Sequence, residues 1–128
     1  MFVIDQDTTP QTEGVWESFG EAEFKIRHVS NLDFQRMVLR LQQPYRRKID
    51  NNTLDPKISK DIICKAMGQY VLVDWRNVGD KSGQALPYSP ELAYSALMNR
   101  EDLREFVSAY SMNLDNFMIE EVQELGND

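Results

Sequence analysis

The sequence predicts a mainly α fold: a single small domain of about five helices with an N-terminal β-hairpin. Apolar residues recur at i, i+3, i+4 and i+7 in several separate segments, the spacing that puts them on one face of a helix. Two segments open on an Asp or Ser followed at once by a proline, a helix start in which the missing proline N–H costs nothing. Ahead of all of them lies one pair of short stretches with alternating apolar positions, the pattern of a hairpin.

Taken in order, Met1 to Thr12 is polar, contains Pro10 and reads as a loose arm. Gly14 to Phe19, a Gly20-Glu21 turn and Ala22 to Val29 form the hairpin, with Phe24, Ile26 and His28 on one strand face. A lone hairpin is marginal in water, so this one must lie on an apolar surface. Ser30, with Asp33 three residues on, is the expected cap of a first helix. Its stripe is Phe34, Met37, Val38 and Leu41, and Pro44 ends it before the basic connection Tyr45-Arg46-Arg47-Lys48. Asp55-Pro56 starts a second helix whose wide apolar face (Ile58, Ile62, Ile63, Ala66, Met67, Tyr70, Val73) marks it as central.

The run Val71 to Val78 then flows into the turn Gly79 to Gly83, and the turn delivers Ser89-Pro90-Glu91. This stretch reads as scaffolding that fixes how two helices meet. Leu92, Ala96 and Leu97 belong to a short third helix that stops near Asn99. Asn99 or Arg100 opens a fourth, striped by Leu103, Phe106, Val107 and Tyr110. Leu114, Phe117, Met118, Val122 and Leu125 continue at helical spacing to Gly126. Trp16, Phe24, Phe34, Ile62, Tyr70, Trp75 and Leu103 are the expected core. No repeat or low-complexity linker interrupts residues 1–128, so one domain is expected.

A chain of 128 residues supports one hydrophobic core and little more. With 41% hydrophobic and 27% charged residues it has the composition of an ordinary globular protein. No apolar run approaches the roughly 20 residues of a membrane helix, and the N-terminus lacks the basic start and apolar middle of a signal peptide. The lone Cys64 has no internal disulfide partner, so a cytoplasmic protein is the expectation.

The net charge of −7 is unevenly placed. Residues 1–64 carry 9 basic and 10 acidic side chains and residues 65–128 carry 5 and 11, so the halves stand at −1 and −6. Such a balance argues against nucleic-acid binding, which needs clustered Lys and Arg. The ordinary meaning of the acidity is solubility through self-repulsion. The sharper one is a docking face for a basic partner.

Catalytic and metal chemistry find little purchase. Cys64 and His28 could serve as nucleophile and base, but they fall in different elements and no third group is spaced to orient the imidazole. Cys64 reads instead as a small core hydrophobe. One His and one Cys do not make a zinc site with the usual ligands. The carboxylate clusters are Asp5 with Asp7, and Glu120 with Glu121 and Glu124, the latter read as a solvated helix face. No GKS or GKT follows Gly79 and Gly83, so phosphate binding is not supported. No catalytic, metal or cofactor site is therefore expected. Arg36 and Arg40 share a helix face at i, i+4, and with Arg46, Arg47 and Lys48 they form either a solvated face or a positive patch on an acidic molecule.

The order of motifs resembles the tail assembly chaperones of long-tailed bacteriophages. The likeness rests on Glu13-Gly14-Val15-Trp16, Phe24-Lys25-Ile26-Arg27, Asn31 and Phe34-Gln35-Arg36. It continues through Val73-Asp74-Trp75-Arg76-Asn77-Val78, Gly83, Leu86-Pro87-Tyr88-Ser89-Pro90-Glu91 and Asn116-Phe117, spanning about residues 4 to 127. The resemblance implies a small, largely helical protein of the host cytoplasm, absent from the finished virion. Such proteins coat the long tape-measure protein and bring tail-tube subunits to it, many of them also in a longer frameshifted form. The resemblance thus implies the tape-measure protein and the tail-tube protein as partners; the given sequence shows no such extension, which leaves the bridging role open for this form alone.

Physically, a tape-measure protein exposes apolar helical surface until the tube closes around it, and a small acidic helical domain could shield that surface in many copies. Phe106, Tyr110, Phe117 and Met118 are the candidate partner surface, with core as the competing assignment, favoured for Phe106. A weak homo-oligomer is expected, in which Arg36, Arg40, Arg46, Arg47 and Lys48 of one copy meet Glu120, Glu121 and Glu124 of the next. The alternative function is an acidic inhibitor or antirepressor that mimics nucleic acid. An exposed apolar groove favours the chaperone, whereas carboxylates along one continuous face favour mimicry.

If Cys64 and His28 do no chemistry, Cys64→Ala and His28→Ala will leave function intact apart from modest stability losses. A phage-production assay at matched protein levels checks this, because an obligatory nucleophile would give a null phenotype.

Overall fold

The computed structural model describes Met1 and residues 12–118. Strands β1 (Val15–Phe19) and β2 (Ala22–Ile26) form the expected hairpin, followed by helix α1 (Leu32–Gln42) and a one-turn helix α2 (Arg46–Asp50). The long α3 (Pro56–Tyr70), strand β3 (Leu72–Arg76), α4 (Pro90–Asn99) and α5 (Glu101–Met112) complete the order, with a final 3-10 turn at Leu114–Phe117. The fold is mostly helical with an antiparallel three-stranded sheet in the order β1-β2-β3. The arm expected over residues 1–12 lies almost wholly outside the described residues, as does the stretch beyond Met118.

The caps explain where the helices begin. Asp55 accepts a hydrogen bond from the Lys57 amide (2.9 Å), Ser89 accepts one from Leu92 (3.1 Å), and in both cases proline fills the first helical position. At α1 the cap is Asn31, not the expected Ser30. Its carboxamide oxygen accepts from the Phe34 amide (2.8 Å) while its NH₂ donates to the carbonyls of His28 (2.7 Å) and Tyr70 (3.1 Å). A serine hydroxyl has no such reach, so Asn31 both starts α1 and fastens it to the end of α3.

Two expectations are corrected. The wide face read as helical through Val73 ends at Tyr70, and the chain turns into β3. Leu72 and Trp75, three residues apart, mimic a helical spacing because the register with β2 slips between Lys25–Asp74 and Ile26–Leu72, leaving Val73 as an extra residue. The bulge turns both side chains into the core. Secondly, the described part of the helix expected over Leu114 to Leu125 is a 3-10 turn at Leu114–Phe117, its remainder lying outside the described residues, while the connection Arg46–Lys48 is itself the first part of α2.

The sheet packs its inner face against the helices through Phe24, Ile26, Leu72 and Trp75, and α3 runs through the middle with Met67, Cys64 and Ala66 enclosed. Helix α1 lies on α3, α4 crosses α3, and α5 returns beneath β2. Of the expected core, Phe24, Ile62, Trp75 and Leu103 are buried, whereas Trp16, Phe34 and Tyr70 are half-buried. Trp16 lies on the outer sheet face, its ring covered by the Arg76 guanidinium at 3.8 Å.

The α3–α4 crossing is the tightest contact. A Cβ on Gly68 would stand 2.8 Å from the Tyr94 amide nitrogen and 3.2 Å from the Pro90 carbonyl oxygen, so only glycine allows this approach. Nearby, the Tyr94 hydroxyl donates to Asp61, and Lys65 pairs with the same carboxylate at 2.9 Å. The Tyr94 hydrogen bond, then Lys65, holds the Asp61 carboxyl below its ordinary range.

Two substitutions test this packing. Ile62→Ala removes a buried side chain and is expected to cost about 2–5 kcal/mol in chemical denaturation; a loss under about 0.5 kcal/mol, typical of surface changes, would contradict the burial. Gly68→Ala gains up to about 1 kcal/mol of helix propensity, yet it must lower stability, because overpacking against backbone costs roughly 1–3 kcal/mol. A raised melting temperature would disprove the close crossing.

Candidate functional site

Three of the residues expected to form a partner surface, Phe106, Tyr110 and Phe117, take part in an aromatic ladder. Phe106 stacks on Phe19 of β1 with ring centroids 4.7 Å apart, Tyr110 follows at 6.0 Å, and Phe117 lies edge-on to Tyr110 at 5.6 Å and to His28 at 5.3 Å. Phe117 is completely enclosed, and Phe106, Tyr110 and Met118 are half-buried. The large side chains at this end therefore fasten α5 to the sheet, and Phe117 is a plug of the core rather than a contact surface. Burial raises the Tyr110 hydroxyl pKa, and neighbouring Glu17 raises it further.

The basic set is carried by two helices. Arg36 and Arg40 are exposed on α1, Arg47 and Lys48 are exposed on α2, and Arg46 reaches Asp50 of its own helix at 3.9 Å. Glu120, Glu121 and Glu124 lie outside the described residues. Cys64 is enclosed in α3, where burial raises its thiol pKa, and His28 accepts from the Ser30 amide at 3.1 Å beside Phe117. Among the described residues no cluster of three or more His, Cys, Asp or Glu is placed to hold a metal ion. No helix of the described residues is long and apolar enough to cross a membrane.

A concave feature lies elsewhere among the described residues. An open groove of about 570 Å³ runs between the hairpin tip, the β3–α4 connection and the α4–α5 corner. Its floor is Phe24, Trp75 and Leu103, three residues of the buried core that show one edge to the groove. One wall is Phe19 and Ala22 of the hairpin, and the other is Leu92 and Ala96 of α4. Polar groups sit at the rim, where Arg100 holds Asp102 through two hydrogen bonds of 2.9 and 2.7 Å.

Each boundary is fastened. The Trp75 indole N–H donates to the Leu86 carbonyl (2.7 Å), and the Tyr88 hydroxyl lies 2.7 and 2.8 Å from the Gly68 and Leu72 carbonyls. Burial pushes the Tyr88 pKa up to about 12, so the hydroxyl keeps the proton it donates. Asn77, held at φ 58°, donates to the Glu21 carbonyl at 2.8 Å and ties the hairpin turn to the connection. Asp80 accepts from the amides of Ser82 and Gln84, which shapes the loop between them. The groove is thus a preformed apolar cleft. It has no signature in the sequence, because its lining comes from separate stretches between Phe19 and Leu103 and its floor residues Phe24, Trp75 and Leu103 read as core.

No curated protein and no solved structure matches the chain. Residues 29–127 match the family described as YdaY prophage protein. That match covers most of the length, from the end of the hairpin through the 3-10 turn and beyond, and the chain belongs to the YdaY prophage protein family.

Proposed function

We propose that this prophage protein acts by binding rather than by catalysis, as a tail assembly chaperone that covers apolar helical surface of the tape-measure protein while the tail is built. The observation that carries this reading is the groove. A partner helix presenting apolar side chains at i, i+3 or i+4, and i+7 would set them on Phe24, Trp75 and Leu103, the helix-in-groove mode of recognition. Leu92, 37% exposed on the wall, adds apolar surface that water otherwise covers. The resemblance to tail assembly chaperones runs through the same region, since Trp75, Asn77, Val78 and Leu86 of its motifs line the groove. Delivery of tail-tube subunits is the companion role that the same resemblance implies.

Mimicry of nucleic acid draws less support. It needs free carboxylates along one face, whereas Asp33, Asp50, Asp61 and Asp102 pair with basic side chains and Asp55 and Asp80 accept backbone amides.

Co-expression with the tape-measure protein of the same prophage tests the proposal. The wild-type chain is expected to keep that protein in the soluble fraction, while Leu92→Glu and Ser95→Trp, which charge or fill the groove from exposed positions, lose the effect and keep the native circular dichroism spectrum. A tape-measure protein that precipitates equally with and without the chain would overturn the function. Variants that protect as well as wild type would overturn the groove as its site.

A further inference from the structure

Charge in this chain is segregated as well as uneven. Residues 34–60 carry 7 basic and 2 acidic side chains and the remaining residues carry 7 and 19, so a segment of +5 belongs to a molecule whose remainder stands at −12. That segment comprises most of α1, all of α2 and the first turn of α3, with Arg36, Arg40, Arg46, Arg47, Lys48 and Lys57 exposed. Helix α1 adds apolar surface to it. Phe34, Met37, Val38 and Leu41 turn inward, whereas Leu32 and Leu39 are 60% and 58% exposed. Leu32, Arg36 and Leu39 follow at i, i+4 and i+7, one line along the outer face, with Arg40 beside it.

A complementary line runs along α5. Glu101, Glu105, Ala109 and Met112 follow at i, i+4, i+8 and i+11 and are all exposed, Met112 by 67%. This face is acidic over its first turns and apolar at its end, where Leu114 adds further exposed surface.

We infer that the outer face of α1 in one copy packs antiparallel on the outer face of α5 in a second copy. With Leu32 set against Met112, the shared rise of roughly 1.5 Å per residue brings Arg40 between Glu101 and Glu105 and Arg36 within a turn of Glu105. Apolar contact at one end and ion pairs at the other fix the direction, since a parallel packing sets Leu32 against Glu101 and Met112 against Gln43. A nucleic acid fits this face less well. Phosphates offer nothing to Leu32 and Leu39, and they approach against the field of the acidic remainder. Because the two faces lie on different helices, one copy offers each to a different neighbour, and copies add head to tail into a ring or an open filament. The ion pairs are exposed, so the association is weak and weakens further with salt. None of these residues lines the groove, so the contact stands whatever the groove binds.

Sedimentation velocity of the full chain tests the contact. The wild type is expected to sediment faster as its concentration rises at low salt, and to approach a monomer at high salt. Arg36→Glu with Arg40→Glu should stay monomeric at low salt, as should Glu101→Lys with Glu105→Lys, each with the native circular dichroism spectrum. Leu39→Asp, a single change at an exposed position, should reduce the association as well. Mixing the two charge-reversed chains should restore the faster species, because every α1–α5 pairing between them is again of opposite sign. A wild type that stays monomeric at low salt and high concentration would overturn the inference. So would single variants that associate like the wild type, or a mixture of the two folded variants that does not associate.

Discussion

The close crossing of α3 and α4 at Gly68 is the constraint from which the remaining geometry follows. With no side chain at Gly68, the backbone of α4 at Pro90 and Tyr94 comes directly onto α3. The Tyr88 hydroxyl then reaches the carbonyls at the end of α3 and the start of β3, so helix, strand and returning helix are set in one place. The Tyr94 hydroxyl, held by Asp61 two turns before Gly68, fastens the same two helices. Since α4 provides one wall of the groove and β3 its floor, the width of the groove is fixed by how near α4 can come.

Much of this architecture is legible in the sequence, for local reasons. Asp55-Pro56 and Ser89-Pro90 satisfy helix N-termini by themselves, and Phe34 to Leu41 and Leu103 to Tyr110 are stripes that any core would bury. What escaped depends on partners distant in sequence. The third strand hides behind a bulge that gives Leu72 and Trp75 a helical spacing, and Asn31 displaces Ser30 as cap because Tyr70 waits for its amide. Gly68 carries no sign of its importance, since a glycine in a helix reads only as a weak position until the neighbouring backbone is known. The groove was illegible for the same reason. Apolar spacing tells which residues turn inward but not where two inward faces fail to meet.

The division of labour among aromatic residues follows from that. Size and adaptability made Phe106, Tyr110 and Phe117 look like a binding surface, but the same properties suit them to bridging the uneven gap between α5 and the sheet. The smaller Ala22 and Ala96 leave the gap that becomes the groove. A binding cleft is here made by small residues between large ones rather than by large ones on display.

The burial of Phe117 has a consequence for how the chain folds. Its contact with His28 joins residues far apart in sequence, so the loop it closes takes in most of the described chain. Such a contact repays its closure entropy only after the intervening helices have ordered. Until residue 117 has been synthesised, the cavity between β2 and α5 stays open and its apolar lining is available for misassociation. The last turn of the described chain thus sets the moment at which the nascent protein becomes safe from aggregation.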